Sequence, residues 1–180
     1  MKQFINIGLL ILVLMACKEQ SKEAQMSKEE RLTLIEEIED KSFGQGGEFN
    51  KTSALSLLNN YVLFADENPD DDRAAGFLFK AGDIAMGLEK GQLAIDYFDR
   101  VIDEYPEYEK VAYSMFLRAF VYENQLKDLD KASKAYRDFI KAYPDHDMTE
   151  AAQFSLQNLG KSPEQLIREF EQNNATPAQN

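Results

Sequence analysis

The chain contains no tryptophan, one cysteine, one histidine, five prolines and nine glycines among 180 residues. Each scarcity removes a class of chemistry. A lone cysteine, Cys17, allows no internal disulfide and no cysteine-built zinc site. A lone histidine, His146, leaves no Ser/His/Asp order to assemble and no second imidazole to share a metal, so it reads as a solvated loop residue. Positive charge is also short: 20 Lys and Arg stand against 32 Asp and Glu, a formal net charge of −12. That balance argues against nucleic acid, whose binding needs a basic patch, and equally disfavours docking on anionic lipid through a charged face. Few prolines and glycines leave long stretches of good helix formers.

One apolar run stands out. Lys2 gives a positive start, Phe4 to Leu14 an apolar centre and Ala16 a small residue before the break, which is the plan of a secretory signal peptide over residues 1–16. The run is too short for a membrane span, which needs about 20 apolar residues. Cys17 follows directly, and Lys18 to Ser27 is polar throughout, so no core and no activating pocket can form around the thiol. Leu14-Met15-Ala16-Cys17 resembles the lipobox of bacterial lipoproteins. The resemblance implies a lipidated Cys17 as a membrane anchor, with residues 17–27 as a flexible tether. Lys18 after the cysteine implies the outer membrane, on its periplasmic face or at the cell surface.

From residue 28 the apolar period is 3.6, which predicts helices near 28–41, 51–67, 72–88, 91–105, 108–125, 128–143, 147–158 and 163–171. Pro69, Pro106 and Pro144 each stop a helix, because the residue before proline avoids the α region and the ring cannot continue the ladder. Asp147 to Glu150 and Ser162 to Gln165 have capping-box spacing. An aromatic stands eight residues before each of those prolines: Tyr61, Phe98 and Tyr136. Ala94 and Ala132, Ile102 and Ile140, and Tyr105 and Tyr143 coincide at a spacing of 38. Such a period predicts stacked helical hairpins, in which alanine permits close helix approach and the aromatic fills the adjoining groove.

Gly82, Ala94, Phe98 and Pro106, and then Ala119, Ala132, Tyr136 and Pro144, resemble the tetratricopeptide repeat (TPR). The resemblance implies an all-α fold, a right-handed α-α superhelix of TPR-like helical hairpins over residues 28–171. It would hold about three hairpins and a C-terminal cap whose Leu166, Ile167 and Phe170 turn inward, followed by a tail at 172–180. Lipobox, tether and hairpins together resemble short TPR lipoproteins of Bacteroidetes and, with fewer hairpins, the BamD (YfiO) family of outer-membrane-assembly lipoproteins.

No catalytic residue, cofactor or metal is expected. Gly160-Lys161-Ser162 lacks the first glycine of a phosphate loop and reads as a helix stop followed by a cap. Asp66, Asn68, Asp70 and Asp72 lack the glycine and closing Glu of a calcium loop. Adjacent carboxylates such as Glu36 and Glu37 point in different directions from a helix. The expected partner is a protein or peptide of the envelope, held on the first helices of successive hairpins. Helical period places Phe79, Asp83 and Met86 on that groove, with Leu117, Val121 and Asn124 equivalent one repeat later. Core packing is the other reading of Phe79, Leu117 and Val121. The alternatives to an adaptor are a ligand-capturing envelope lipoprotein and a hydrolase using two carboxylates. Small size and the absence of tryptophan and of a catalytic loop weigh against the hydrolase.

Overall fold

Proline sets the architecture. The residue preceding it is driven out of the α region, and the same geometry recurs at three places in the computed structural model, which describes residues 26–43 and 50–175. Asn68, Tyr105 and Tyr143 cap their helices at φ/ψ of −136/58°, −132/58° and −134/65°. Each turn then continues identically. The carbonyls of Asn68, Tyr105 and Tyr143 accept from the N–H groups of Asp71, Tyr108 and His146, whose carbonyls accept in turn from Ala74, Val111 and Thr149.

The described residues form eight helices: α1 (Lys28–Phe43), α2 (Lys51–Glu67), α3 (Ala74–Gly87), α4 (Gly91–Glu104), α5 (Val111–Asn124), α6 (Leu129–Ala142), α7 (Thr149–Gln157) and α8 (Pro163–Ala175). The fold is all-α and built of TPR-like helical hairpins. The signal-peptide stretch, Cys17, the tether up to residue 25, the glycines at 44–47 and residues 176–180 lie outside the described residues. The chain divides into two compact units, 1–77 and 78–180, with the division inside α3.

In the first unit α1 lies against α2, locked by one guanidinium. Arg31 is fully buried. Its Nε and Nη2 donate to the two carboxylate oxygens of Glu67, both at 3.1 Å, and Nη1 donates to Asn60 Oδ1 at 3.2 Å. Tyr61, stacked on Phe77 with ring centroids 5.1 Å apart, donates its hydroxyl to Glu39 at 2.5 Å. Asn50 caps α2 by accepting from the N–H groups of Thr52 and Ser53, and Ser27 with Glu30 forms a capping box at the start of α1.

The second unit stacks hairpins. Ala94 and Ala132 are fully buried, and so are the aromatics Phe98 and Tyr136 that follow them by four residues. Around Tyr136 the core gathers Ala112, Phe116, Ala119, Phe139 and Ala152, so α5, α6 and α7 share one apolar interior. Within each hairpin the turn holds a left-handed non-glycine residue, Glu89 at φ 56° and Lys127 at φ 55°, again 38 positions apart. The turn after α7 instead uses Gly160 at φ 78°, and Ser162 caps α8 in the expected box with Gln165.

Three expectations need correction. The Asp147 box does not cap α7: Met148 is the cap residue, its N–H bonds to His146 Nδ1 at 3.1 Å, and Thr149 Oγ1 donates back to the Tyr143 carbonyl at 2.6 Å. His146 is consequently not a solvated loop residue; it meets the rings of Tyr113, Phe139 and Tyr143 edge-on. Ile167 and Phe170 do not turn inward but are 58% and 69% exposed.

Candidate interaction face on helices α3 and α5

Helices α3 and α5 open their respective hairpins. The side-chain amide of Gln125, just beyond α5, donates to the Met86 carbonyl near the end of α3 at 2.8 Å. At the start of α5, Lys110 places its ammonium 4.9 Å from the centre of the Phe79 ring. The same ends of both helices therefore face each other, and they lie side by side in one direction. The outer face of such a pair is the surface on which stacked hairpins hold an extended or helical segment.

The residues expected on this face divide. Val121 is fully buried and Phe79 is buried against Phe98, ring centroids 6.0 Å apart, so both pack the interior as their core reading holds. Asp83 and Asn124 are exposed, and Met86 and Leu117 are half-buried, with Leu117 resting on the core around Tyr136. Crowding by surrounding protein pushes the Asp83 carboxyl up although part of it reaches solvent, while Lys110 works against the rise.

Two residues were missed. Tyr113 and Phe120 are both exposed, and with Leu117 and Asn124 they complete a stripe at steps of four, three and four along α5. The spacing signal was available, yet α5 carries apolar residues nearly all round. Period alone does not tell which side faces outward.

Other charged surfaces are occupied internally. Lys28, Glu67, Asp70, Asp71, Asp72 and Arg73 line an open cavity of about 700 Å³ in the first unit. There Asp71 bonds Lys28 and, at 2.7 Å, Arg73 Nε, and these bonds hold its carboxyl well below the usual carboxylate range. A carboxyl shifted that way stays ionised, the opposite of what a general acid needs. A smaller cavity of about 230 Å³ in the second unit brings Arg118, Lys131 and Lys134 near one another. Each of these cations has its own acid: Asp99 at 2.6 Å, Asp128 at 3.1 Å and Asp138 at 2.6 Å.

No curated protein matches the chain. Residues 77–108 and 113–146 match the tetratricopeptide repeat family model. The first match spans α3 and α4 and the second α5 and α6, the hairpins whose turns superimpose at a 38-residue step. These two stretches are therefore similar to the tetratricopeptide repeat, which in general is a protein–protein interaction module.

Proposed function

We propose that the chain is a lipid-anchored adaptor of the bacterial cell envelope, tethered to the outer membrane through Cys17 and gripping a protein partner on the face of α3 and α5. The observation that carries the binding half is the stripe on α5 of exposed Tyr113, Phe120 and Asn124 with half-buried Leu117, together with exposed Asp83 on α3. Apolar anchors flanked by one carboxylate suit a peptide segment that presents apolar side chains near a lysine or arginine. The anchoring half is supported by the apolar run that stops at Ala16-Cys17 and the polar stretch after it.

A photo-crosslinking residue at position 120 of the intact protein, in cells, tests the face. The expected result is one reproducible protein adduct that disappears with Tyr113→Asp. An outer-membrane barrel or its assembly machinery in that adduct would support a role in outer-membrane protein assembly. Adducts no different from those at an exposed position on α6 would sink the binding half. For the anchor, Cys17→Ala should abolish metabolic labelling with an alkynyl fatty acid and release the protein from membranes. Unchanged membrane attachment without label would remove it.

A further inference from the structure

Arg118 is paired differently from three other arginines of the chain. Arg31, Arg73 and Arg100 each turn the Nε–Nη2 edge of the guanidinium to one carboxylate, that of Glu67, Asp71 or Glu104, with both nitrogens donating. Arg118 instead meets Asp99 through Nη1, at 2.6 Å. Its Nε is buried and has no acceptor. The edge best shaped for two oxygens of one anion is thus unspent, and a buried N–H without a partner calls for one.

This arginine lines the cavity of about 230 Å³ in the second unit, with Tyr122, Lys131, Lys134, Ala135 and Asp138. Arg118 and Tyr122 are one turn apart on α5, and Lys131, Lys134 and Asp138 follow one side of α6, so each helix turns a single face to the cavity. Ala135, small and buried, leaves the room between them. Three cations against one carboxylate make the lining positive on a chain whose formal charge is −12. The pairs these lysines already form exchange at little cost. Lys134 and Asp138 are 79% and 44% exposed, Lys131 and Asp128 61% and 33%, and exposed pairs contribute little. Asp128 keeps its place without the ammonium, because it caps α6 by accepting from the Lys131 N–H at 3.1 Å. Asp99 stays on Nη1 while the Nε edge takes a ligand.

We infer that this cavity is a binding site for a small organic phosphate. At neutral pH a phosphate monoester brings close to two negative charges and three acceptor oxygens. A lone carboxylate would serve the arginine edge; the two lysines of the facing helix match the second charge and the third oxygen. The half-buried ring of Tyr122, which carries the Lys131 ammonium 5.4 Å from its centre, flanks the organic body. At 3.6 residues per turn, Arg118 and Tyr122 lie on the far side of α5 from Tyr113, Leu117, Phe120 and Asn124. Occupancy here is therefore separate from the partner face.

The probe is phenyl phosphate, titrated near neutral pH into the full 180-residue chain, ¹⁵N-labelled and held in non-ionic detergent, with the arginine Nε–H resonances followed by NMR. The resonance that Arg118→Lys removes should move downfield and saturate, with half-saturation at about 0.1–5 mM, the range of a few partly exposed charge contacts. Added salt should weaken the binding. Benzoate, with one charge, should bind about fivefold more weakly or worse. Lys131→Gln with Lys134→Gln should weaken phenyl phosphate about tenfold with unchanged helical circular dichroism, since both side chains are exposed. That pair keeps the test decisive even where Arg118→Lys fails to fold. An arginine spectrum that shows no saturating shift up to about 20 mM phenyl phosphate overturns the inference. So does saturation that the lysine pair leaves unchanged, or benzoate binding as tightly as the phosphate.

Discussion

Phe98 and Gly82 occupy one volume: a Cβ placed on Gly82 would stand 2.5 Å from Cε1 of the Phe98 ring. The glycine is therefore what allows α3 and α4 to meet. Phe98 is fully buried and its ring has no room to swing away. Gly82→Ala should destabilise the protein, and Gly82→Leu should cost more, within the roughly 1–3 kcal/mol typical of overpacking. Denaturant unfolding of both variants measures this. An unchanged midpoint for the leucine variant would mean the helices separate more easily than their packing indicates.

Arg31 gives a second expectation. Its guanidinium has no access to water, and Glu67 supplies two of the oxygens that face it, with Asn60 Oδ1 a third. Removing the carboxylate leaves a buried cation with only part of its partners. Glu67 is partly exposed, so water can enter and the loss falls at the lower end of the usual range. Glu67→Ala should lower stability by about 2 kcal/mol, while Arg31→Met, which removes the charge and keeps an apolar stem, should lower it less. If the two rank the other way, the ion pair is contributing net stability rather than satisfying a buried charge.

Glu89 and Lys127 hold left-handed backbone without being glycine. That conformation crowds Cβ against the following carbonyl, a strain of about 1–2 kcal/mol that glycine escapes, offset in part by glycine's greater freedom in the unfolded chain. Glu89→Gly and Lys127→Gly should each raise stability by about 0.5–1 kcal/mol, and together they should add. Thermal unfolding of the single and double variants checks this. A loss in both would mean the long side chains contribute more than the strain removes.

The alkaline limb of stability should be steep. Burial, reinforced by the carboxylates of Glu39 and Glu123, raises the Tyr61 and Tyr136 hydroxyls well above their ordinary value; for Tyr136 a bond to Ser155 partly opposes the rise. A group that keeps its proton more tightly when folded supports the fold fully below its unfolded pKa, about 10, and loses that support as pH rises past it. Urea unfolding at pH 7 to 11.5 should show stability falling from about pH 10, and Tyr61→Phe with Tyr136→Phe should flatten the fall. An equally steep fall in the double variant would assign it to other groups.

Much of the fold was legible because prolines and paired alanines leave plain marks. Pro69, Pro106 and Pro144 gave the helix ends to within two residues, and the alanine–aromatic spacing gave the hairpins. The binding face was less legible for a physical reason. Helices α4 and α6 have one sharply apolar side, whereas α3 and α5 are touched by neighbours on several sides and are apolar over much of their girth. Phe79 and Val121 look outward by spacing and lie inward in space, while Tyr113 and Phe120 were passed over. The inward turn expected of α8 failed because its pattern fits a second hairpin helix, whereas its actual seat shows only in three dimensions. His146 was less legible because the ring of Tyr113, distant in sequence on α5, joins those of Phe139 and Tyr143 against it.

The three proline turns carry one more consequence. Since Asn68, Tyr105 and Tyr143 leave their helices at the same angles and hand on the same two hydrogen bonds, the chain can be cut and rejoined from one to another with the junction unchanged. Joining Tyr105 directly to Pro144 would excise one full period and rebuild the same bend. Length in this protein is thus a modular quantity, adjustable in steps of one hairpin, so reach and grip can be altered separately from the chemistry of any single face.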